Sequence, residues 1–173
     1  DQHNHYLKII SNEVKRLSRL VKTMLDLSRI ENGSLKIDKK PFDISKMITL
    51  TMISFEKNIS NKNISVQGLD TMKNTSVYGD SDMINQVIYN LIENAVKFTN
   101  ANGYIKINVN ETEHDVNVSI ENSGHGIPSA ELPFIFDKFY KTDKSRSEDK
   151  NGMGLGLYIV KKIINLHKGQ IYV

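Results

Sequence analysis

The stretch from Asn85 to Thr99, N-Q-V-I-Y-N-L-I-E-N-A-V-K-F-T, constrains this chain more than any other. On a helix advancing about 100° per residue, Val87, Ile88, Leu91, Ile92, Ala95 and Val96 cover one broad face. Gln86, Asn90, Glu93, Asn94 and Lys97 gather on the opposite side. The amides of Asn90 and Asn94 stack one turn apart, and Lys97 follows one turn later. Amide oxygens are hard neutral ligands that suit Mg²⁺, and an ammonium supplies positive charge to phosphate. Such a stripe could hold a hydrated metal ion and phosphate oxygens. An ordinary amphipathic helix with an Asn-rich polar face fits the same spacing.

Composition narrows the classes. The 173 residues are 39% hydrophobic and 25% charged, an ordinary soluble balance with enough length for one core plus an appendage. A net charge of +3, with signs alternating along the chain and no long basic block, argues against a nucleic-acid partner. Without cysteine there is no disulfide framework, thiolate nucleophile or cysteine-based zinc site, which is compatible with a reducing cytoplasm. No apolar run approaches the roughly 18 residues of a membrane span, and no signal peptide is visible. Both ends read as cut from a longer protein, so any membrane attachment is expected only through segments upstream.

Residues 1 to about 31 read as one long helix. Leu7, Ile10, Val14, Leu17, Val21 and Met24 follow three-four spacing, Leu20 and Leu27 widen the stripe, and Gly33 is a plausible stop. Lys15, Arg16, Lys22 and Arg29 lie mainly off it. A lone amphipathic helix cannot bury its stripe against itself, so the reading is one helix of a dimeric bundle; a helix packed on the following domain is the alternative. Leu35 to Phe42 predicts a short strand, and Asp43 caps a second helix running through Ile44, Met47, Ile48, Thr51, Met52 and Phe55. Ile64–Leu69 and Ser76–Gly79 are short strand candidates. Tyr104–Val109 and Val116–Ile120 alternate strictly and predict a hairpin around Glu111–Asp115. A final apolar helix reaches His167, and Gln170–Val173 is expected to open one more strand.

Two glycine segments carry the remaining signal. Asn122-Ser123-Gly124-His125-Gly126-Ile127-Pro128 follows a strand, where two nearby glycines let the backbone turn and a flat ligand approach. In Asn151-Gly152-Met153-Gly154-Leu155-Gly156-Leu157 glycine alternates with other residues before a helix, and amides at a helix start make an anion site. The order G-x-G-x-G matches neither the P-loop nor the Rossmann pattern, which excludes both. Between the segments, Phe134-Ile135-Phe136-Asp137-Lys138-Phe139-Tyr140 reads most simply as a core plug. Lys141 to Lys150 reads as a mobile flap whose Lys144 and Arg146 could close over phosphates.

In this order, N-L-I-E-N-A-V-K-F-T, E-N-S-G-H-G-I-P, F-I-F-D-K-F-Y and G-M-G-L-G-L-Y-I-V-K resemble the N, G1, F and G2 boxes of sensor histidine kinases. That family shares its ATPase superfamily with gyrase, the Hsp90 chaperone and mismatch-repair ATPases. L-D-L-S-R-I-E-N-G, closing the first helix, is similar to the second helix of the family's dimerisation and phosphotransfer domain. The resemblance covers nearly the whole chain.

It implies a Bergerat-type α/β two-layer sandwich over residues 34–173, a mixed sheet with helices on one face, preceded in residues 1–33 by one helix of a dimeric bundle. ATP and Mg²⁺ are the implied cofactors. Asn90 and Asn94 would position Mg²⁺ and the triphosphate, Asn94 being the first choice for metal contact. Lys97 would meet phosphate and Phe98 would line the pocket. Asn122, Gly124, Gly126 and Ile127 would shape the adenine site. Phe136 and Phe139 would pack the base of an ATP lid reaching from Tyr140 through Lys144 and Arg146. Gly152, Gly154 and Gly156 would form a phosphate-facing hinge anchored by Leu155 and Leu157.

The implied activity of the parent protein is autophosphorylation of a histidine and transfer to an aspartate of a response regulator. The parent would be a membrane-anchored bacterial receptor, with this portion cytoplasmic, homodimeric through the first helix. Three departures matter, one being that the family continues past Q-I-Y-V into a further strand pair; the other two bear on the chemistry. Asn122 stands where the family usually has Asp to receive the adenine amine, which weakens that contact by about 1 kcal/mol without removing it. No S/T-H-E-x-R-x-P box surrounds His3, His5, His114, His125 or His167, so each reads as a surface histidine and no catalytic residue is expected within this piece. In the family's pattern Asn90 occupies the slot of the general base that hydrolytic relatives use, so neighbouring Glu93 is not expected to activate water. The rival readings are a non-catalytic ATP-sensing scaffold and a serine kinase of the anti-sigma-factor type.

Overall fold

The computed structural model describes residues 36–142 and 152–173, with scattered positions between Tyr6 and Asn32. Expectations resting on Leu20, Leu27, Gly33, Leu35, His3, His5, Lys144 and Arg146 lie outside the described residues. The chain divides into two compact units, Asp1–Ile37 and Asp38–Val173. In the first, described positions from Tyr6 to Arg29 are helical (α1). Its stripe residues Leu7, Ile10, Val14, Leu17, Val21 and Met24 are all helical and 51 to 61% exposed.

The second unit runs β1 (Lys40–Asp43), α2 (Ile44–Ser54), α3 (Glu56–Asn61), β2 (Ser65–Gln67), β3 (Ser76–Gly79), α4 (Ser81–Phe98), β4 (Tyr104–Glu111), β5 (Val116–Asn122), a 3-10 turn (Leu132–Phe134) and α5 (Gly156–Leu166). Asp43 starts α2 because its backbone is extended and its carboxylate accepts the Lys46 N–H at 3.0 Å. Asp80 does the same for α4, taking the N–H groups of Asp82 and Met83 at 3.2 and 3.1 Å.

Strict alternation in β4 sends Ile105 and Ile107 fully into the core while Lys106 and Asn108 face outward. β5 repeats the pattern antiparallel to β4, with Ile107 opposite Ile120. β2 joins the other side of β4 in parallel, Ser65 opposite Tyr104. This mixed three-stranded sheet presents one apolar face, and α2 and α4 cover it: Ile44, Ile48 and Met52 from α2 and Ile88, Ile92, Ala95 and Val96 from α4 form one core with Ile64, Ile105 and Ile107. Each fully buried isoleucine contributes roughly 1.5–3 kcal/mol of transfer free energy, so the core favours this register over a one-residue slip. β1 and β3 form a separate antiparallel ribbon with Phe42 opposite Val77. The architecture is the expected α/β sandwich.

Four expectations change. Of the strand predicted over Leu35–Phe42, the described residues form strand only from Lys40, in Lys40–Asp43, where β3 supplies a ladder. That predicted over Ile64–Leu69 shortens to Ser65–Gln67, ending before Gly68, whose φ is +92°. Gln170–Val173 is not a strand, since no described strand pairs with it. The phenylalanine segment is not a plug of rings: Ile135 is buried at 6% exposure, Phe134 and Phe139 are 48 and 55% exposed, and Phe136 is half-buried beneath the Lys161 ammonium.

Candidate functional site

The polar stripe of α4 is not an ordinary solvated face. Gln86, Asn90, Glu93, Asn94 and Lys97 are all half-buried, whereas Asn85 and Tyr89 on the same helix are exposed. Two glycine-containing backbone segments approach this helix, one at Phe98 and one at Asn90. The Lys97 ammonium also lies 5.1 Å from the centroid of the Phe98 ring, a cation–π distance.

The first segment leaves β5 at Asn122, whose carbonyl accepts the Gly124 N–H at 3.0 Å. This tight turn lays Gly124 against the end of α4. A Cβ there would stand 2.5 Å from the Phe98 carbonyl oxygen and 2.8 Å from the Asn122 amide nitrogen, so only glycine fits. Gly126, with φ of +70°, has nothing within 4 Å of an added Cβ, and the following Ile127 is exposed. Asn122, Gly124 and Phe98 are thus brought together; Gly126 and Ile127 line open space beside them.

The second segment starts α5. Gly154 has φ of +68°, and a Cβ there would fall 2.4 Å from the Tyr140 carbonyl oxygen; the Gly154 carbonyl in turn accepts the Phe139 N–H at 3.0 Å. Tyr140 donates its hydroxyl to Glu131 at 3.0 Å and stacks on Phe134. Leu155, 3% exposed, pins the turn in the core, and Gly152 and Leu157 are half-buried. Gly156 then opens the helix beside α4. The nearest atom to an added Cβ is Cγ of Asn90, at 4.0 Å. No side chain caps this helix start and its first turn holds no acid. The first backbone N–H groups of α5 have no partners within the helix and carry partial positive charge. Chemically, the site offers amide oxygens, an ammonium and helix-start donors, a set suited to a phosphate chain and a hard cation.

Sequence reasoning missed two fastenings around this layer. His167 reads as a surface residue from its sequence setting, but it is half-buried and binds through both ring nitrogens. The Asp80 N–H donates to Nε2 at 3.0 Å, and Nδ1 lies 2.9 Å from the Ile163 carbonyl. An amide can only donate, so Nε2 is the acceptor and Nδ1 carries the proton. The ring therefore joins the end of α5 to the start of α4, where Gly79 has no room for a Cβ without moving it. Burial opposes ionisation of Asp80, but the N–H groups of Asp38, Met83 and Asp82, with a smaller contribution from the neighbouring His167 side chain, outweigh it and hold the carboxyl below its ordinary value. The other omission is Lys62, whose ammonium reaches the far end of α4. Neither had a sequence signal, since their partners are distant in the chain. His114 and His125 are exposed, as expected.

Residues 79–173 match the family described as histidine kinase-, DNA gyrase B- and HSP90-like ATPases. Sensor histidine kinase WalK of Bacillus subtilis is 32% identical over 96% of this chain and 28% of its own length. The probable sensor protein PcoS of Escherichia coli is 36% identical over 97% of this chain and 36% of its own. The chain thus spans about a third of the length of these relatives. Among solved structures, the catalytic domain of histidine kinase ThkA superimposes with a TM-score of 0.67 at 32% identity, covering 78% of this chain and 87% of that one. ThkA in complex with the response regulator TrrA gives a TM-score of 0.72 at 32% identity, covering 96% and 46%. The fold, the box residues and these likenesses agree: the chain belongs to the histidine kinase-, DNA gyrase B- and HSP90-like ATPase family.

Proposed function

We propose that this chain is the ATP-binding part of a sensor histidine kinase, and that its residues grip Mg²⁺-ATP between α4 and the start of α5. The observation that carries the reading is the uncapped, acid-free start of α5 beside Asn90. Backbone N–H groups there suit phosphate oxygens, and a glycine at 156 leaves room for them. Among the described residues no three His, Cys, Asp or Glu side chains converge. Asn94 and Asn90 would offer amide oxygens to a magnesium ion here, a hard cation that would neutralise phosphate charge. Lys97 adds charge from the next turn, and Asn122 and the Gly124 turn receive the base beside Phe98.

When bound, the nucleotide supplies the γ-phosphoryl group. The chain's own contribution is orientation, charge neutralisation and exclusion of water. Transfer to a histidine and on to an aspartate of a response regulator is the proposed activity of the whole protein, as is pairing of two copies through the exposed apolar stripe of α1. ThkA, solved with TrrA, supports the regulator as partner. Among the described residues no helix is long and apolar enough to cross a membrane; attachment through other segments of the parent, leaving this part in the cytoplasm, completes the proposal. An amide-resolved NMR titration tests the site. Mg²⁺-ATP should shift the Gly156 and Leu157 amides and the Asn90 and Asn94 side-chain signals, and adenosine alone only the Asn122–Gly126 turn and Phe98. Shifts confined to the outer face of β4 and β5 would sink the reading.

A further inference from the structure

Lys62 follows α3 and lies 34 to 37 residues before the atoms it touches. Its ammonium donates to three carbonyls at the end of α4: Val96 at 3.0 Å, Lys97 at 2.7 Å and Thr99 at 3.0 Å. An ammonium has three protons, and here each has an acceptor. The end of a helix leaves its last carbonyls without partners inside the helix and carries partial negative charge, so one cation answers both needs. The Phe98 carbonyl, which Lys62 does not take, is the one against Gly124. The last turn of α4 is therefore held from two sides, by a lysine and by a glycine.

The surroundings keep Lys62 in place. The Asn102 N–H donates to the Lys62 carbonyl at 2.9 Å, and the Asn63 amide donates to the Asn102 side chain at 2.8 Å. Both asparagines adopt left-handed backbone, with φ of 51° and 60°, which this residue type tolerates best after glycine. Two residues after Asn63 the Ser65 N–H donates to the Gly103 carbonyl at 2.8 Å, where the parallel β2–β4 ladder begins. The turn after α3 and the turn after α4 are thus one fastened unit with Lys62 at its centre.

We infer that Lys62 is a positioning residue for nucleotide binding. By clasping the carbonyls of Val96, Lys97 and Thr99 it fixes the turn from which Lys97 and Phe98 project into the site. It touches no ligand. The inference rests on the nucleotide-site reading above.

The test compares wild type, Lys62→Met and Lys62→Arg by calorimetric titration with Mg²⁺ and a non-hydrolysable ATP analogue, well below the melting temperature of each. Lys62→Met should weaken binding about 10-fold while the protein stays folded, and Lys62→Arg, keeping the charge and several donors, should recover most of that loss. The loss should also persist for adenosine, because Phe98 moves with Lys97. A folded Lys62→Met that binds as tightly as wild type overturns the inference and leaves the nucleotide site standing; its lowered melting point would then be the whole effect. If Lys62→Met does not fold at the assay temperature, Lys62→Gln, whose amide can still donate, takes its place under the same criterion. Wild type that fails to bind the analogue overturns the site reading itself and this inference with it.

Discussion

At the start of α4, Asp80 accepts two helix N–H groups, Asp82 adds a second acid in the first turn, and His167 takes the Asp80 N–H from outside. At the start of α5 none of this exists: Leu155 occupies the cap position, no side chain closes it and the first turn is free of acid. Both helices lie in the same layer and pack on one another. The chain has completed one positive helix end internally and left the other without a side-chain cap. Capping favours folding, and its omission costs α5 about 1 kcal/mol relative to a good cap. In the proposed site, a bound phosphate would recover that cost, and glycine at 156 would leave room for it.

The comparison can be broken most sharply by giving α5 an acid of its own. Gly156→Asp meets only ordinary contact with Asn90, and the residue has no left-handed φ to forbid it. Titration with Mg²⁺-ATP analogue should show affinity reduced by about 2 kcal/mol, while a thermal melt shows stability unchanged or raised. The reverse change, Asp80→Ala, should cost about 1.5 kcal/mol in urea unfolding and leave affinity within about threefold of wild type.

The Asp80 effect is also pH-dependent. Its folded carboxyl titrates below the ordinary aspartate value, so its contribution is fully present above that value and is lost as pH falls through the lower folded one. The stability gap between wild type and Asp80→Ala should therefore be constant from neutral pH down to about pH 4–5 and narrow below it. His167→Ala, which removes the acceptor for the Asp80 N–H, should cost about 1 kcal/mol in the same unfolding measurement, again without loss of affinity. Asn122→Asp, acting at the base side of the pocket rather than at a helix start, should tighten adenine nucleotides by at most about 1 kcal/mol and leave triphosphate alone unaffected.

The sequence made α4 legible because its evidence is local. A helical period separates Ile88, Ile92 and Val96 from Asn90, Asn94 and Lys97 without knowledge of any other segment, and the structure buries the first group and shelters the second. The β4–β5 hairpin and the Asp43 cap were readable for the same reason. The glycines announced turns, but which atoms they approach, Phe98 and Tyr140 for Gly124 and Gly154, is a property of the folded layer. Where the reading went wrong, the deciding contact was distant or missing. Gln170–Val173 alternates plausibly yet has no ladder among the described strands. Phe134 and Phe139 are apolar, yet they stay exposed while Ile135 is the residue of the segment that is buried. Lys62 and His167 bond to groups 35 and 87 residues away, and composition around them carries no trace of it.

The central claim is that α4 and the open start of α5 hold a magnesium nucleotide. Calorimetric titration of this chain with a non-hydrolysable ATP analogue, with and without Mg²⁺ and beside Asn94→Ala, tests it most directly, with a thermal melt on each sample. The account predicts magnesium-dependent binding by wild type and a loss of at least about 10-fold in Asn94→Ala, both proteins melting cooperatively. A cooperatively folded wild type that binds no nucleotide, or binds equally with the asparagine removed, would contradict it.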